Sequence, residues 1–371
     1  MTVGHLHPRD EADLAELIAG RNAPVAIHGG GTRGGGTGGG GSGGEVLATG
    51  ALAGVRLHEP GALTLVAGAG TPLAEVEAVL AAAGQRLAFE PPDLGPLLGR
   101  SGASTIGGVV ATNASGPRRV QAGACRDALI GARFVDGTGA VVKSGGRVMK
   151  NVTGLDLARL MAGARGRLGV LTEVAFKVLP APERVVTLAV TAADAGAAVA
   201  AMAAALGTPC EVTGAAWRPG GPVWLRIEGL EVQVRHRAAL LGRLLGAVPA
   251  EEKAGVADLW ARIRDGSDFV GRPGDVWRLA LKPSAAPAVL ARAGAEDAIV
   301  DCGGGVLWLL MAPGTDLRAR LGPIEGHARR LRGDPSDGIA MAPPEAPALG
   351  ALTAGLRARF DPRGLFSPAE G

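Results

Sequence analysis

Residues 24–44 read PVAIHGGGTRGGGTGGGGSGG, and no other stretch restricts the fold so severely. Val25, Ala26 and Ile27 form a short apolar run suited to a buried strand, and it opens directly into glycine. A helix cannot follow, because each interior glycine costs roughly 1 kcal/mol relative to alanine. The chain must leave the strand as an irregular loop. Composition alone describes such a Gly/Ser tract as a flexible linker. The alternative is a loop whose successive N–H groups, free of Cβ atoms, converge into a concave nest for an anion. The preceding strand favours a phosphate nest for His28, Gly29, Gly30, Gly31, Thr32, Arg33 and Gly34, while 35–44 keep the linker reading.

Gly29, Gly31 and Gly34 satisfy G-x-G-x-x-G, but a dinucleotide-binding turn needs a helix to begin inside the motif, and glycine continues instead. A second strand, Leu63–Val66, runs into Gly68-Ala69-Gly70, with Thr71 as helix cap and Pro72 as the first residue of a helix reaching Ala83. Leu73 stands there in place of the third glycine. Neither turn is a nicotinamide-type fingerprint.

Other function classes fall away on charge and cysteine usage. The formal charge is +3, from 38 basic and 35 acidic residues, with no basic run interleaved with aromatics, so nucleic acid is not an expected partner. Cys125, Cys210 and Cys302 lie far apart without C-x-x-C spacing, which excludes an iron-sulfur cluster held by this chain. The most apolar stretch, Thr187–Leu206, contains Asp194 and reads as strand, loop and amphipathic helix, so no membrane span is expected. The N-terminus lacks a basic region followed by an apolar one, which makes a cytoplasmic location the expectation.

At 371 residues the chain suggests two domains, or one with a large insertion. Asp10 caps a helix through Leu14, Leu17 and Ile18 that ends at Gly20. From Ser101 to Pro180 the glycine-rich, β-branched segments TIGGVVATNASG, ALIGARFVDGTGAVVKSGG and GRLGVLTEVAFKVLP carry strand signals, including a hairpin through Asp136-Gly137, with a short helix at Leu155–Ala162. After Pro180-Ala-Pro182 strands and helices alternate in two groups. The first is 185–190, 195–206, 214–217, 223–227 and 232–245; the second is 277–281, 286–293, 298–301, 306–311 and 316–331.

PVAIHGGGTRGG, STIGGVVATNASGPRRVQAGACRDALIGARFV, KNVTGLDLARLMAGARGRLGVLTEVAFKVLP and the closing DPRGLFSP together resemble the FAD-binding PCMH-type domain of the vanillyl-alcohol oxidase superfamily. Within it they look most like the FAD-binding E subunit of bacterial glycolate oxidase. The resemblance implies an α+β fold: a PCMH-type FAD-binding domain of two α+β subdomains at 1–180, a ferredoxin-like α+β cap at 181–340, and a return to the FAD domain at 341–371. It also implies FAD, its pyrophosphate wrapped by His28 to Gly34. Covalent members commonly carry His at the position of Thr32, so the flavin is expected to be non-covalent. Pro92 and Asp93 lead into the flavin segment Ser104, Thr105, Gly107 and Gly108. Asn113 suits loop packing or flavin contact equally. Gly166, Gly169 and Val170 match the adenosine side, with Val170 as a main-chain partner.

The implied activity is oxidation of a small 2-hydroxy acid, glycolate to glyoxylate, within a complex containing a catalytic FAD-bearing D-type subunit and an iron-sulfur F-type subunit. That complex could sit peripherally at the inner membrane. Proton abstraction needs a positioned base. The H-x-G-D-G-N-x-H-type stretch of related dehydrogenases is missing, and His236 and His327 read as solvated residues of helix-like, Arg-flanked segments. The expectation is that the base lies on another chain, with a stand-alone D-lactate-type dehydrogenase or a non-catalytic FAD-binding assembly subunit as alternatives. Arg118 and Arg119 read as a solvated or partner-facing pair, and Cys125 as an inert core thiol.

Overall fold

The computed structural model describes residues 4–33, 45–146, 154–250 and 258–366. Gly34, the 35–44 tract and Ser367-Pro368-Ala369 lie outside them. The first half contains β1 (His5–Leu6), α1 (Glu11–Ala19), β2 (Val25–His28), β3 (Glu45–Ala48), β4 (Val55–Glu59), β5 (Thr64–Gly68), α2 (Leu73–Ala82), β6 (Gln85–Leu87) and α3 (Ile106–Thr112). It continues with α4 (Arg119–Ala122), α5 (Cys125–Ala128), β7 (Leu129–Val135), β8 (Val141–Gly145), α6 (Leu157–Met161) and β9 (Val170–Pro180). Among the described residues, β1, β3 and β2 form a parallel sheet, and β4, β5, β9, β7 and β8 an antiparallel one with β6 also paired to β9.

Local chemistry explains most of these elements. Asp10 accepts the Asp13 N–H at 2.8 Å to cap α1, and the Gly20 N–H bonds back to the Glu16 carbonyl. Asp136 accepts the Thr138 and Ala140 N–H groups inside the β7–β8 hairpin. Two expectations are corrected. Pro72, not Thr71, is the N-cap of α2, while the Thr71 hydroxyl donates to Gly68 O at 2.6 Å and accepts the Gly54 N–H. Residues 106–112, read as strand-like, form α3, because Thr105 accepts the Gly108 N–H and Ile106, Val109 and Val110 turn into the core; burial overrides the β-propensity of valine.

The second half contains β10 (Arg184–Val190), α7 (Ala195–Leu206), β11 (Gly214–Trp217), β12 (Val223–Gly229), α8 (Glu231–Leu245) and β13 (Val248–Pro249). It goes on through α9 (Leu259–Asp265), β14 (Asp275–Leu281), α10 (Ala286–Ala293), β15 (Asp297–Asp301), β16 (Val306–Met311), α11 (Leu317–Leu321) and β17 (Gly326–Arg332), before α12 (Pro347–Phe360). The strand order β13-β10-β12-β11-β15-β16-β14-β17 is two β-α-β-β-α-β units of ferredoxin-like order, joined edge to edge through β11 and β15. The 316–331 segment therefore divides: Asp316 caps α11, and His327 belongs to a strand rather than a helix. His236 does sit exposed on α8.

One face of this sheet packs on α7, α8, α10 and α11 through residues such as Leu225, Trp277, Leu279 and Leu309. Val276, Trp308 and Leu310, on the other face, pack with Trp260, Phe269 and, from the first half, Leu97. The closing segment returns to the first sheet: Val25 N–H donates to Leu365 O at 2.8 Å, and Arg363 donates to the carbonyls of Ile18, Ala19, Arg21 and Gly137.

The two halves are joined by buried charge. Glu228 on β12 takes Arg86 Nη1 at 3.0 Å and Arg118 Nη1, while Arg226 donates both Nη groups to Glu90 at 2.9 and 2.8 Å and lies over the Trp260 ring. Arg118 is thus a buried interdomain ligand, not a solvated residue. Burial pushes the Glu228 carboxyl up, but Arg226, Arg118 and Arg86 outweigh it and hold the group below its ordinary range. Removing one partner from such a network strands buried charge. Glu228→Ala is expected to lower unfolding stability by about 3–5 kcal/mol, measured by denaturant titration; a loss of the surface-pair size, under ~1 kcal/mol, would show that the network does not fasten the halves.

Candidate active site

Strand β2 delivers His28 to the mouth of a large cavity, where Thr49 holds the His28 carbonyl through its N–H at 2.8 Å and its hydroxyl at 3.2 Å. The loop that follows is pressed against residues 102–105. A Cβ on Gly30 would overlap the Ala103 carbonyl oxygen, and one on Gly29 would fall 2.5 Å from the Thr105 hydroxyl. Two of the glycines thus allow loop to meet loop, and Gly31, at φ +70°, takes a left-handed turn with open space where a side chain would be. Thr32 is buried at 3% exposure.

Arg33 crosses between the two loops. Its Nη2 donates to Ser104 Oγ at 2.8 Å and to the Pro92 carbonyl, while Nε and Nη1 are buried without a partner among the described residues. Burial pushes its pKa down to about 10, so the group is still a cation. Unsatisfied buried guanidinium N–H groups are costly. Beside a glycine loop open to a cavity they fit an anionic group, and a diphosphate would supply the missing acceptors.

The cavity is about 1850 Å³, beyond the ~300–1,000 Å³ of ordinary small-molecule sites. That leaves room for a dinucleotide together with a second ligand. It is lined by His28, Gly29, Gly30, Gly31, Thr32, Arg33, Pro92, Thr105, Gly107, Gly108, Asn113, Gly166 and Gly169. Asp93, Ser104 and Val170 are not on the wall: Asp93 accepts the Gly95 N–H, Ser104 supports Arg33, and Val170 is a core residue paired with Val135. Asn113 performs the packing task, its Oδ1 accepting the Arg126 N–H at 3.0 Å. Cys125 is fully buried and its thiol is pushed up by burial, as an inert core thiol should be.

The opposite wall was not visible in the sequence. Arg278 and Ala280 on β14, Val306 and Trp308 on β16, and His327 and Arg329 on β17 share one face of the cap sheet and line the same cavity. Arg278 stands directly opposite both Trp308, over whose ring it lies at 5.6 Å, and Arg329. Arg119, Arg165 and Arg167 approach from the first half. These side chains keep solvent contact through the cavity, yet protein crowds them. Burial, then Arg278, Arg329 and Arg119, lowers the His327 pKa, and burial with neighbouring arginines brings Arg165 down to about 10. Cys302 is also at the wall, but burial and Asp301 push its thiol well up, which removes it as a nucleophile. The alternation His327-Ala328-Arg329 was the available signal, since a polar-apolar-polar period of two marks a strand.

Comparison with known proteins agrees with this geometry. A model of the FAD binding domain family matches residues 4–145. The E. coli (strain K12) glycolate oxidase subunit GlcE is 36% identical over 330 residues, covering 86% of this chain and 87% of that protein. The Bacillus subtilis (strain 168) glycolate oxidase subunit GlcD is 40% identical over 100 residues, 27% of this chain and 20% of that protein. An Anaerostipes hadrus D-lactate dehydrogenase is 44% identical over 98 residues, 26% and 20% respectively. Alkyldihydroxyacetonephosphate synthase has the same fold at a TM-score of 0.70 and 15% identity, over 98% of this chain and 76% of that one.

Loop, cavity and matches define an FAD-dependent oxidoreductase of the PCMH-type fold, with FAD as cofactor. The chain belongs to the family of the FAD-binding E subunit of bacterial glycolate oxidase.

Two substitutions test the loop. Gly30→Ala is expected to push the 29–33 loop off Ala103 and yield protein that elutes from gel filtration without flavin absorbance, while its unfolding remains cooperative. Arg33→Gln keeps size but loses the charge-assisted donors, worth about 1.5–3 kcal/mol, so FAD is expected to bind roughly 10–100-fold more weakly in a fluorescence titration.

Proposed function

We propose that this chain is the FAD-binding subunit of a glycolate-oxidase-type complex that oxidises a 2-hydroxy acid, with glycolate to glyoxylate the simplest case, and hands the electrons to an iron-sulfur subunit beside a D-type FAD subunit. The observation that carries the reading is that one cavity holds the glycine loop with the bare donors of Arg33 at one end and a neutral-tending histidine among arginines at the other. FAD, when bound, supplies the two-electron acceptor for hydride leaving the substrate α-carbon. Gly29–Arg33 would hold the pyrophosphate, and with Thr32 where covalent members commonly carry His the flavin would be held non-covalently.

His327 is the group in this chain suited to take the hydroxyl proton. The base sought on another chain is then in the cap of this one. Surrounding cations and burial disfavour its imidazolium, so the ring stays an acceptor below the ordinary histidine pKa of ~6.5. Arg278 and Arg329 hold the substrate carboxylate. Cys125, Cys210 and Cys302 are free and far apart in the sequence, so the iron-sulfur relay sits on a partner. No helix among the described residues is long and apolar enough to cross a membrane, which suits a cytoplasmic complex that meets the inner membrane only peripherally.

The purified FAD-loaded chain mixed anaerobically with glycolate and larger 2-hydroxy acids is expected to lose its flavin absorbance with at least one of them. His327→Gln should slow that bleaching by about 10²-fold or more, in the usual range for a general base. The wild-type rate should rise with pH and level off below pH 6.5, because only the neutral imidazole accepts a proton. A flavin that no 2-hydroxy acid bleaches, alone or with its partner subunits, would remove the proposal.

A further inference from the structure

Arg278 and Arg329 face one another on adjacent strands, in an arrangement where like charges oppose folding. Their neighbour Arg330, on the other face of β17, is treated quite differently: it donates to Asp275 at 2.8 Å and to Asp337. Neither Arg278 nor Arg329 has a hydrogen-bonded or ion-paired side-chain partner among the described residues, and the same is true of the Arg119, Arg165 and Arg167 side chains on the facing wall. Among the described residues Arg167 Nε is buried with nothing to donate to. At the domain junction, by contrast, buried arginines are matched to carboxylates, as Arg226 is to Glu90 and Arg118 to Glu228. Asp301 lies near Arg278 but makes no ion pair with it, and five cations converging on the cavity with no ion-paired carboxylate among the described residues describe a receptor for more negative charge than one carboxylate brings. The glycine loop and Arg33 that suit the flavin diphosphate lie in the 29–33 segment after β2 and against residues 102–105, whereas Arg278 and Arg329 stand on the cap sheet.

We propose that the cap end of the cavity selects a 2-hydroxy acid with a second acidic group, a hydroxy-dicarboxylate, one carboxylate bridging Arg278 and Arg329 and the other held by Arg165 and Arg167. The inference deepens the 2-hydroxy-acid reading and rests on it. The carboxylate beside the hydroxyl takes the cap pair, which keeps the hydroxyl next to His327 on the same sheet face. The distal carboxylate then spans to the facing wall, drawing cap and FAD domain onto the ligand from both sides. Glycolate would fill only half of this arrangement.

The test is calorimetric titration of the FAD-loaded chain with malate, 2-hydroxyglutarate, glycolate and lactate at low and moderate salt, with anaerobic flavin bleaching followed in parallel. At least one dicarboxylate is expected to bind ten or more times tighter than either monocarboxylate, with the preference shrinking as salt rises. Arg278→Gln/Arg329→Gln should weaken all four ligands, whereas Arg165→Gln/Arg167→Gln should weaken the dicarboxylates alone. Both double variants should retain FAD, and Arg235→Gln, an exposed position on α8 paired with Glu231, should change nothing. Equal affinity for glycolate and the dicarboxylates overturns the proposal even if glycolate bleaches the flavin. So does loss of FAD in the variants, which would assign the arginines to the cofactor. Tight dicarboxylate binding without bleaching by any 2-hydroxy acid sustains the site and removes the functional reading instead.

Discussion

Glu228 and Arg226 stand two residues apart on β12 and turn the same way, into Arg86, Glu90 and Arg118 of the other half. This buried network decides where the cap sits. Charges removed from water tolerate little displacement, since each depends on its partners for the solvation it has given up. Apolar contact, through Leu97 against Trp260, Phe269 and Trp308, adds area but little direction. With the cap sheet fixed over the glycine loop, one part of its inner face has protein to pack against and the remainder looks into the cavity. The site exists because the two halves meet along one line and separate along another.

Within the site the two ends use different chemistry. The flavin end is mainly backbone: glycines accept close approach, and Arg33, braced by Ser104 and the Pro92 carbonyl, contributes unsatisfied donors. The cap end is all side chain, with Trp308 as a flat wall, His327 whose pKa is lowered by burial and by Arg278, Arg329 and Arg119, and arginines that repel one another. An arrangement of that kind is poor for the stability of the free protein and useful for capturing an anion, as strained or unsatisfied groups at functional sites often are.

The loop was legible in advance because its constraint is local. A strand entering consecutive glycines leaves few choices, and the paired walls of α3 and the 102–105 segment were approached through their own glycines. Asp10, the β7–β8 hairpin and the alternating cap elements followed from capping, turn and periodicity rules for the same reason. Some glycines had another purpose than the one read into them. Gly29 and Gly30 make room for Ala103 and Thr105, and the anion benefits from the loop that results. Val170, named as a main-chain partner for adenosine, buries its side chain in the core and pairs with Val135 in the sheet.

The cap end was illegible because its residues come from α4, the loop after α6, β14, β16 and β17, and become neighbours only across the domain junction. Arg118 and Arg119 show the limit plainly: adjacent in sequence, one is locked to Glu228 and the other faces the cavity. His327 is exposed, as read, but its element was misjudged, since arginine-rich sequence resembles a helix until its partner strand β14 is known. The sequence by itself determined the α+β architecture and the glycine loop, because these depend on backbone freedom and short-range order, while FAD came from its resemblance to a known family. Tertiary structure alone decided which arginines are neutralised and which are left open, because that depends on the carboxylates folding brings within reach.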